Sequence, residues 1–419
     1  MTVPPQDSVP ADVRMRGFLH RSTVDAAMNW IDCAVPEISR LPVEKVLLLA
    51  AATRVLARDI TSRVNVPGFV RSMMDGYALR AEETYGATPY NSLSFQVIGS
   101  CFPGTPFPDV VASGQAVRIM TGAPLPAGAD AVLPVENTEL AGQTLLAMGE
   151  VSAGKHIGTI GEDVKTGDVI LPAGRILRPQ DLGVLSSIGI GEVPVIRRPR
   201  VRLLITGNEL LPAGTVPLGC QIADANGPML AALGVRDGGE VVFPGIIPDT
   251  PVAIRQALLE PADILLVSGG SSVGQEDYAP KVVAELGELP IHGVAMRPSS
   301  PTGMGKISGR PVFLLPGNPV SCLCAYDFFA GRAIRGWGGR SRDWPYPLVT
   351  ARLTRKLVSA VGRVDYARVR LQGSEAEPLA ISGASILSST TRADGFVVVP
   401  ADSEGYPPGA SVNVWRYSP

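Results

Sequence analysis

The sequence predicts a multidomain α/β plus β chain, built around a parallel, doubly wound α/β domain, and three observations carry that expectation. Its 419 residues exceed the size at which one hydrophobic core stops growing, so about two to four domains are expected. An apolar fraction of 45% beside 18% charged residues is ordinary globular composition, enough for each domain to bury a core. From Val201 to about Trp337, apolar strand-like runs alternate with capped helical stretches. That alternation is the pattern of a parallel sheet with right-handed crossovers.

The elements follow in order. Residues 1–21 place prolines and charges where a signal peptide needs an apolar core and read as a flexible tail. Residues 22–60 read as two helices, the first capped by Ser22 or Thr23, the second striped by Leu47, Leu48, Ala51, Val55 and Leu56. Two further helix-like stretches between Thr166 and Pro194, carrying Leu182, Val184, Leu185 and Ile188, suggest one elongated helical domain made of 22–61 and 166–197. The Gly- and Pro-rich segment between them, 62–165, reads as an inserted β-rich domain with strands at Phe95 to Ile98, Ala116 to Met120 and Ala131 to Pro134.

In the α/β domain, 198–341, strands are expected at Val201 to Ile205, Glu240 to Ile247, Ile264 to Val267 and Pro311 to Leu315. Between and after them come helices begun by Asn226, by Thr250 before Pro251, by Tyr278 and after Pro319. The remainder, 342–419, has short alternating strands at Tyr366 to Leu371, Gly395 to Val399 and Ser411 to Trp415 and reads as a small C-terminal β-barrel.

Charge excludes some functions. Thirty-seven basic residues against 39 acidic ones leave a net charge of −2, with no dense Lys/Arg run of the kind that nucleic acid or anionic membrane requires. The most apolar early stretch, Val43 to Ala57, contains Glu44, Lys45 and Arg54 and is too short to span a bilayer. Five scattered cysteines form neither a disulfide framework nor paired zinc knuckles. Cys322 and Cys324 lie in an apolar helical pattern and read as core, and the cytoplasm is the expected compartment.

Candidate chemistry lies beyond the strand ends, where parallel sheets bind ligands. Ile205-Thr206-Gly207-Asn208-Glu209 pairs a glycine, which admits close backbone approach, with a carboxylate. Ser268-Gly269-Gly270-Ser271-Ser272-Val273-Gly274-Gln275-Glu276-Asp277 precedes a helix and could hold a phosphate on backbone N–H groups. Leu315-Pro316-Gly317-Asn318-Pro319 is a turn stiffened by prolines. Each alone is as easily a plain connection; three on one sheet edge, with Asp249 beside them, point to a site. A Walker ending and a G-x-G-x-x-G are both missing, which weighs against an ordinary ATPase or an NAD enzyme. Lone His156 and His292 lack ligand spacing.

These loops, with Val66-Pro67-Gly68-Phe69, Ser72-Met73-Met74-Asp75-Gly76-Tyr77-Ala78, Arg118-Ile119-Met120-Thr121-Gly122-Ala123-Pro124 and Gly161-Glu162-Asp163, resemble the MoeA family, whose eukaryotic relative is the E domain of gephyrin. The resemblance runs from about residue 22 to the C-terminus. It implies a MogA-like α/β domain and a homodimer with an active site shared between subunits. It further implies insertion of molybdate into molybdopterin-AMP with Mg²⁺ and release of AMP. A MogA-like adenylyltransferase and molybdoenzyme acceptors are the implied partners.

Matching positions are Asp75, Asp163, Glu209, Asp249 and Asp277 as catalytic carboxylates, with Glu209, Asp249 and Asp277 offering oxygens to Mg²⁺. Thr121, Asp75 and Asp163 would act from the partner subunit. Substrate contacts are implied for Gly207, Gly269, Gly270, Ser271, Ser272, Gly274, Pro316, Gly317, Asn318 and Pro319, and for the basic pair Arg363 and Arg368 with Ser385 from the last domain.

The chain departs from the family in three places. The usual Lys-Pro-Gly-Lys-Pro is Arg297-Pro298-Ser299-Ser300-Pro301, TGDE is Thr206-Gly207-Asn208-Glu209, and Gly158-Thr159-Ile160 replaces basic residues before Gly161. Arg297 still offers a fork of donors, but Arg and Lys are not interchangeable where a compact ammonium is needed. Ser300 keeps only a neutral hydrogen bond. A tungstate-specific insertase and a molybdopterin-binding or gephyrin-like scaffold are the competing readings.

Overall fold

A computed structural model describes residues 21–35, 41–269, 278–380 and 385–417. The chain divides into two compact units, one of Met1–Lys45, Thr53–Val55 and Pro194–Pro419, the other of Val46–Ala52 and Leu56–Val193.

The larger unit is organised by one seven-stranded sheet. Its strands run in the order Glu240–Val242, Arg200–Thr206, Ile264–Ser268, Arg310–Leu315, Gly303–Ile307 and Glu288–His292, with Ile246–Ile247 also on Arg200–Thr206. The first four are parallel; Gly303–Ile307 pairs antiparallel with the fourth and Glu288–His292 antiparallel with Gly303–Ile307. Period-2 alternation sorts their side chains onto two faces. Leu203, Ile205, Leu266, Phe313 and Leu315 pack on one side with the helices Asn226–Arg236 and Pro319–Ala325. Leu204, Leu265, Val267, Val312 and Leu314 pack on the other with Pro251–Leu259 and Ala279–Leu286. A strand buried on both faces favours apolar side chains throughout, which is why Leu203 to Ile205, Ile264 to Val267 and Val312 to Leu315 are unbroken apolar runs. Each fully buried Leu, Ile or Phe here contributes roughly 1.5–3 kcal/mol.

Several expectations are corrected. The sheet is mixed and not all-parallel, because Gly303–Ile307 and Glu288–His292, set among Pro- and Gly-containing segments that carry no strand pattern, add to its edge by antiparallel pairing. Glu240 to Ile247 is two short strands interrupted at Pro244-Gly245, where Gly245 takes φ +99°. Asn226 opens its helix without capping it; Asp224 caps instead, its Oδ1 accepting from the Gly227 N–H at 2.8 Å. The second helix expected at 43–57 is the strand Val43–Leu47 and a short 3₁₀ turn, Leu48–Ala50. Left-handed Thr53, φ +65°, ends any helical continuation.

Between 166 and 194 only Pro179–Ser187 is helical, and Val169–Leu171 is a strand. The Val24–Ala34 helix forms as expected, with Thr23 Oγ1 accepting from the Ala26 N–H at 3.1 Å. It does not join a helical domain with 166–197. Val24, Ala27 and Ile31 enter the α/β core, while Asp32 is clamped by Arg332 and Arg342 at 2.8–3.0 Å.

The last part of this unit is the expected barrel. Val364–Gln372, Glu375–Ala380, Leu348–Leu353, Ser411–Arg416 and Gly395–Val399 pair in sequence, and the last returns to the first. Closure leaves no free sheet edge among them, and Ala351, Val369, Val397 and Val414 fill the interior.

The other unit holds a six-stranded sheet in the order Ala131–Pro134, Gly76–Leu79, Gln115–Ile119, Leu93–Cys101, Thr144–Ala147 and Thr138–Ala141. All three strands expected in 62–165 are present in it.

Candidate functional site

The parallel strands of the larger unit end at Thr206, Ser268 and Leu315, and beyond those ends lies a cleft of about 770 Å³. Its shape rests on close backbone approach. Gly269 has φ +99°, and a Cβ there would lie 1.9 Å from the Thr206 carbonyl oxygen, so only glycine lets the second loop leave its strand this close to the first. Asn226, 7% exposed, ties the loops together: its Nδ2 donates to Ser268 Oγ at 2.9 Å and to the Gly317 carbonyl at 2.8 Å.

Onto this frame the chain places carboxylates. Asp249 accepts from Thr206 Oγ1 at 2.9 Å, and Glu209 and Asp224 line the same wall. Gly207, Gly317, Asn318 and Pro319 line it as expected. Ser385 donates to Asn318 Oδ1 at 2.9 Å, so the C-terminal part reaches the cleft. Gly270, Ser271, Ser272, Gly274 and Asp277 lie outside the described residues. Among the described residues no three His, Cys, Asp or Glu side chains are grouped closely enough to hold a metal by themselves.

A second cleft, of about 600 Å³, adjoins Asn318 and Pro316 and is lined by Arg297, Ser299, Ser300, Arg363 and Arg21. Arg297 is not its free cation. The guanidinium forks onto Asp365, Nε to Oδ1 at 3.0 Å and Nη2 to Oδ2; Asp365 is fully buried and also accepts from Ser359 Oγ at 2.6 Å. Arg363 Nε stands 3.7 Å from Asp365 Oδ1, beyond hydrogen-bond reach. Ser299 is held at φ +96° by its Oγ donating to the Ser321 carbonyl at 2.5 Å, a strained conformation costing about 1–3 kcal/mol. Ser300 Oγ is buried with no hydrogen-bond partner among the described residues. Arg368 does not face either cleft: it is 0% exposed, because the strand that carries it turns this position into the core.

In the smaller unit, Asp75 and Thr121 come together. Asp75 Oδ1 accepts from the Thr121 N–H and Oγ1, each at 2.7 Å. The backbone N–H first, and then the hydroxyl, hold the Asp75 carboxyl below its usual range. Gly76 is required here, since a Cβ would sit 2.1 Å from the Leu133 carbonyl oxygen of the neighbouring strand. Asp163 is exposed on the same unit, its N–H bonded to the Val66 carbonyl at 3.1 Å.

Asp224 and Arg21 line the clefts at positions that no sequence motif marks, and Asn226 reads from sequence only as the start of a helix. Asp224 stands just before the apolar helix that Asn226 opens, a position that helix capping alone accounts for. Cys322 and Cys324 are fully buried, and burial pushes the Cys322 thiol up to about 12, which fits core and not a metal site.

The α/β domain with its strand-end cleft defines the class: residues 202–335 match the probable molybdopterin binding domain. Residues 22–189 match the MoeA N-terminal region (domain I and II), and 350–417 the MoeA C-terminal region (domain IV). The chain is 34% identical over 376 residues to a molybdopterin molybdenumtransferase of Haemophilus influenzae, covering 88% of this chain and 92% of the relative. A Staphylococcus aureus protein of the same name is 32% identical over 391 residues, with 91% and 92% covered. A solved molybdopterin biosynthesis MoeA protein from Pyrococcus horikoshii superposes with a TM-score of 0.78 at 31% identity, covering 95% of this chain and all of that one. This chain belongs to the MoeA family.

Proposed function

We propose that the protein works in molybdenum-cofactor biosynthesis as a molybdopterin molybdenumtransferase: it takes molybdopterin-AMP and molybdate, releases AMP, and leaves molybdenum on the dithiolene sulfurs. The carrying observation is the strand-end cleft, where Asn226 joins the loops at Ser268 and Gly317 beside Glu209, Asp224 and Asp249. Relatives bearing this name align over nine-tenths of their length.

The cleft fits the reaction in its own residues. Backbone at Gly207, Gly269 and Gly317 leaves room for a nucleotide phosphate, and Thr206 orients Asp249 through its hydroxyl. The donor set also suits Mg²⁺, a hard cation usually held by one or two carboxylates plus substrate phosphates. Glu209, Asp249 and Asp277 would hold it, and when bound it would neutralise the phosphoanhydride oxygens. In the adjoining basic cleft Arg363 faces the opening, suited to an oxyanion.

We further propose a cytoplasmic homodimer in which Asp75, Thr121 and Asp163 serve the partner subunit's site, supplied by a MogA-like adenylyltransferase and delivering to molybdoenzymes. No helix among the described residues is long and apolar enough to cross a membrane. Leu49, 96% exposed, is a candidate contact between subunits.

The test is AMP release from molybdopterin-AMP by the purified protein with Mg²⁺, with and without molybdate, beside Glu209→Ala. Molybdate-dependent release that the variant loses is expected. The Arg297–Asp365 pairing favours one other reading, a molybdopterin-binding scaffold with weakened chemistry. Folded protein that binds substrate and releases no AMP would establish that reading instead.

A further inference from the structure

We propose that Arg21 is the second cation of the basic cleft and that, with Arg363, it holds a tetrahedral oxyanion there. The proposal deepens the reading above. Its binding arm nevertheless stands without turnover.

Charge counting leads to it. Three arginines line this cleft, Arg21, Arg297 and Arg363, yet the single carboxylate beside them, Asp365, is buried and forked by Arg297. Arg297 therefore brings little net charge to the opening. What remains is Arg363, 3.7 Å from Asp365 and so only loosely held, and Arg21, which has no carboxylate partner among the described residues. One guanidinium without a carboxylate among the described residues, Arg21, and one only loosely paired, Arg363, stand around a buried, unpartnered Ser300 hydroxyl and make a site for an anion with several acceptor oxygens.

Position supports the same conclusion. Arg21 is not a loose end, because the next residue is stitched into the cleft wall. The Ser22 N–H donates to the Gly293 carbonyl at 3.0 Å, and the Ala295 N–H donates to the Ser22 carbonyl at 2.8 Å. Val294, between them, donates its own N–H to the Ser300 carbonyl at 2.9 Å. The backbone that carries Arg21 and the backbone that carries Ser300 thus flank the same residue. A positive charge missing at 300 is supplied from 21, a position far away in sequence, where a reading of the Arg297 to Pro301 segment alone finds only loss.

The test is equilibrium binding of molybdate, and separately of AMP, to the full chain and to Arg21→Ala, Arg21→Lys and Arg21→Ala/Ser300→Lys, with thermal melting to confirm folding. Arg21→Ala is expected to weaken one of the two ligands about tenfold, the size of one charge-assisted contact. Arg21→Lys keeps most of the affinity, and Ser300→Lys restores it in the Arg21→Ala background. An effect on molybdate identifies the free oxyanion as the occupant; an effect on AMP identifies the nucleotide phosphate. If Arg21→Ala binds both as tightly as the parent chain, the proposal is overturned. Arg21-dependent binding without AMP release would leave it standing and remove the transferase reading.

Discussion

The two clefts of the larger unit are built in opposite ways. At the strand ends, Thr206, Ser268 and Gly317 lie at or just past the ends of three adjacent parallel strands of one sheet, and the fold itself brings their loops together. The basic cleft draws on residues 21, 297–301 and 360–363, which no single element unites, and part of its charge is cancelled by Asp365. The first is therefore set by the sheet and acidic in its lining. The second is open to retuning, since one substitution changes its charge without touching the sheet.

The largest expected effect breaks the first cleft. Asp249→Asn keeps the shape of the side chain but removes its charge, and AMP release should fall at least about 100-fold, as for loss of a preorganised electrostatic contact. Asn226→Leu, which removes the tie between Ser268 and Gly317, should also lower release, and should cost about 1–3 kcal/mol in urea unfolding because polar partners are left buried.

Asp365→Asn acts on the other cleft in two directions. Removing a buried charge that pairs with Arg297 and Ser359 should cost roughly 3 kcal/mol of stability. The freed Arg297 should at the same time tighten oxyanion binding several-fold, measured by equilibrium dialysis. Tighter binding with lower stability would sharpen the contrast; weaker binding would show that Arg297 serves the cleft only through Asp365.

A pH dependence separates stability from both clefts. Asp327, fully buried, accepts from Tyr346 at 2.8 Å and from Arg236, and burial pushes it up to about 6. An unfolded Asp titrates near about 3.9. The folded state thus holds this proton more tightly. Between about pH 4 and pH 6 its contribution to stability falls as pH rises, by up to roughly 3 kcal/mol, and is flat above that. Denaturant midpoints at pH 4.5 and 7 should show the parent chain losing ground to Asp327→Asn across that range. Smallest of all, Ser300→Lys in the otherwise unchanged chain should strengthen oxyanion binding about two- to threefold, because Arg21 already supplies that charge.

The sequence made the first cleft legible and the second only half so. Loops beyond parallel strand ends follow from period-2 apolar runs separated by capped helices, and Glu209, Asp249, Gly269 and Gly317 were found in that way. Arg297, Ser300 and Arg363 were found by resemblance, but that Asp365 takes up Arg297 depends on a barrel strand lying beside residue 297, a tertiary fact with no local signal. Arg368 was misplaced for a related reason: alternation fixes which residues share a face, but not which face is the core. The helix expected at 43–57 failed because its stripe of Leu47, Leu48, Ala51 and Val55 fits short strands and turns equally well, and Thr53 in the left-handed region decided against it. Arg21 sat at the end of a segment read as a tail, with nothing in its neighbours to mark Ser22 as a bridge to Val294.

Division of labour between the two clefts is tested most directly by the molybdate dependence of AMP release, measured for Glu209→Ala and Arg363→Ala beside the parent chain. Glu209→Ala should lower kcat with the KM for molybdate little changed, and Arg363→Ala should raise that KM with kcat largely kept. Both variants moving the same parameter would contradict that division.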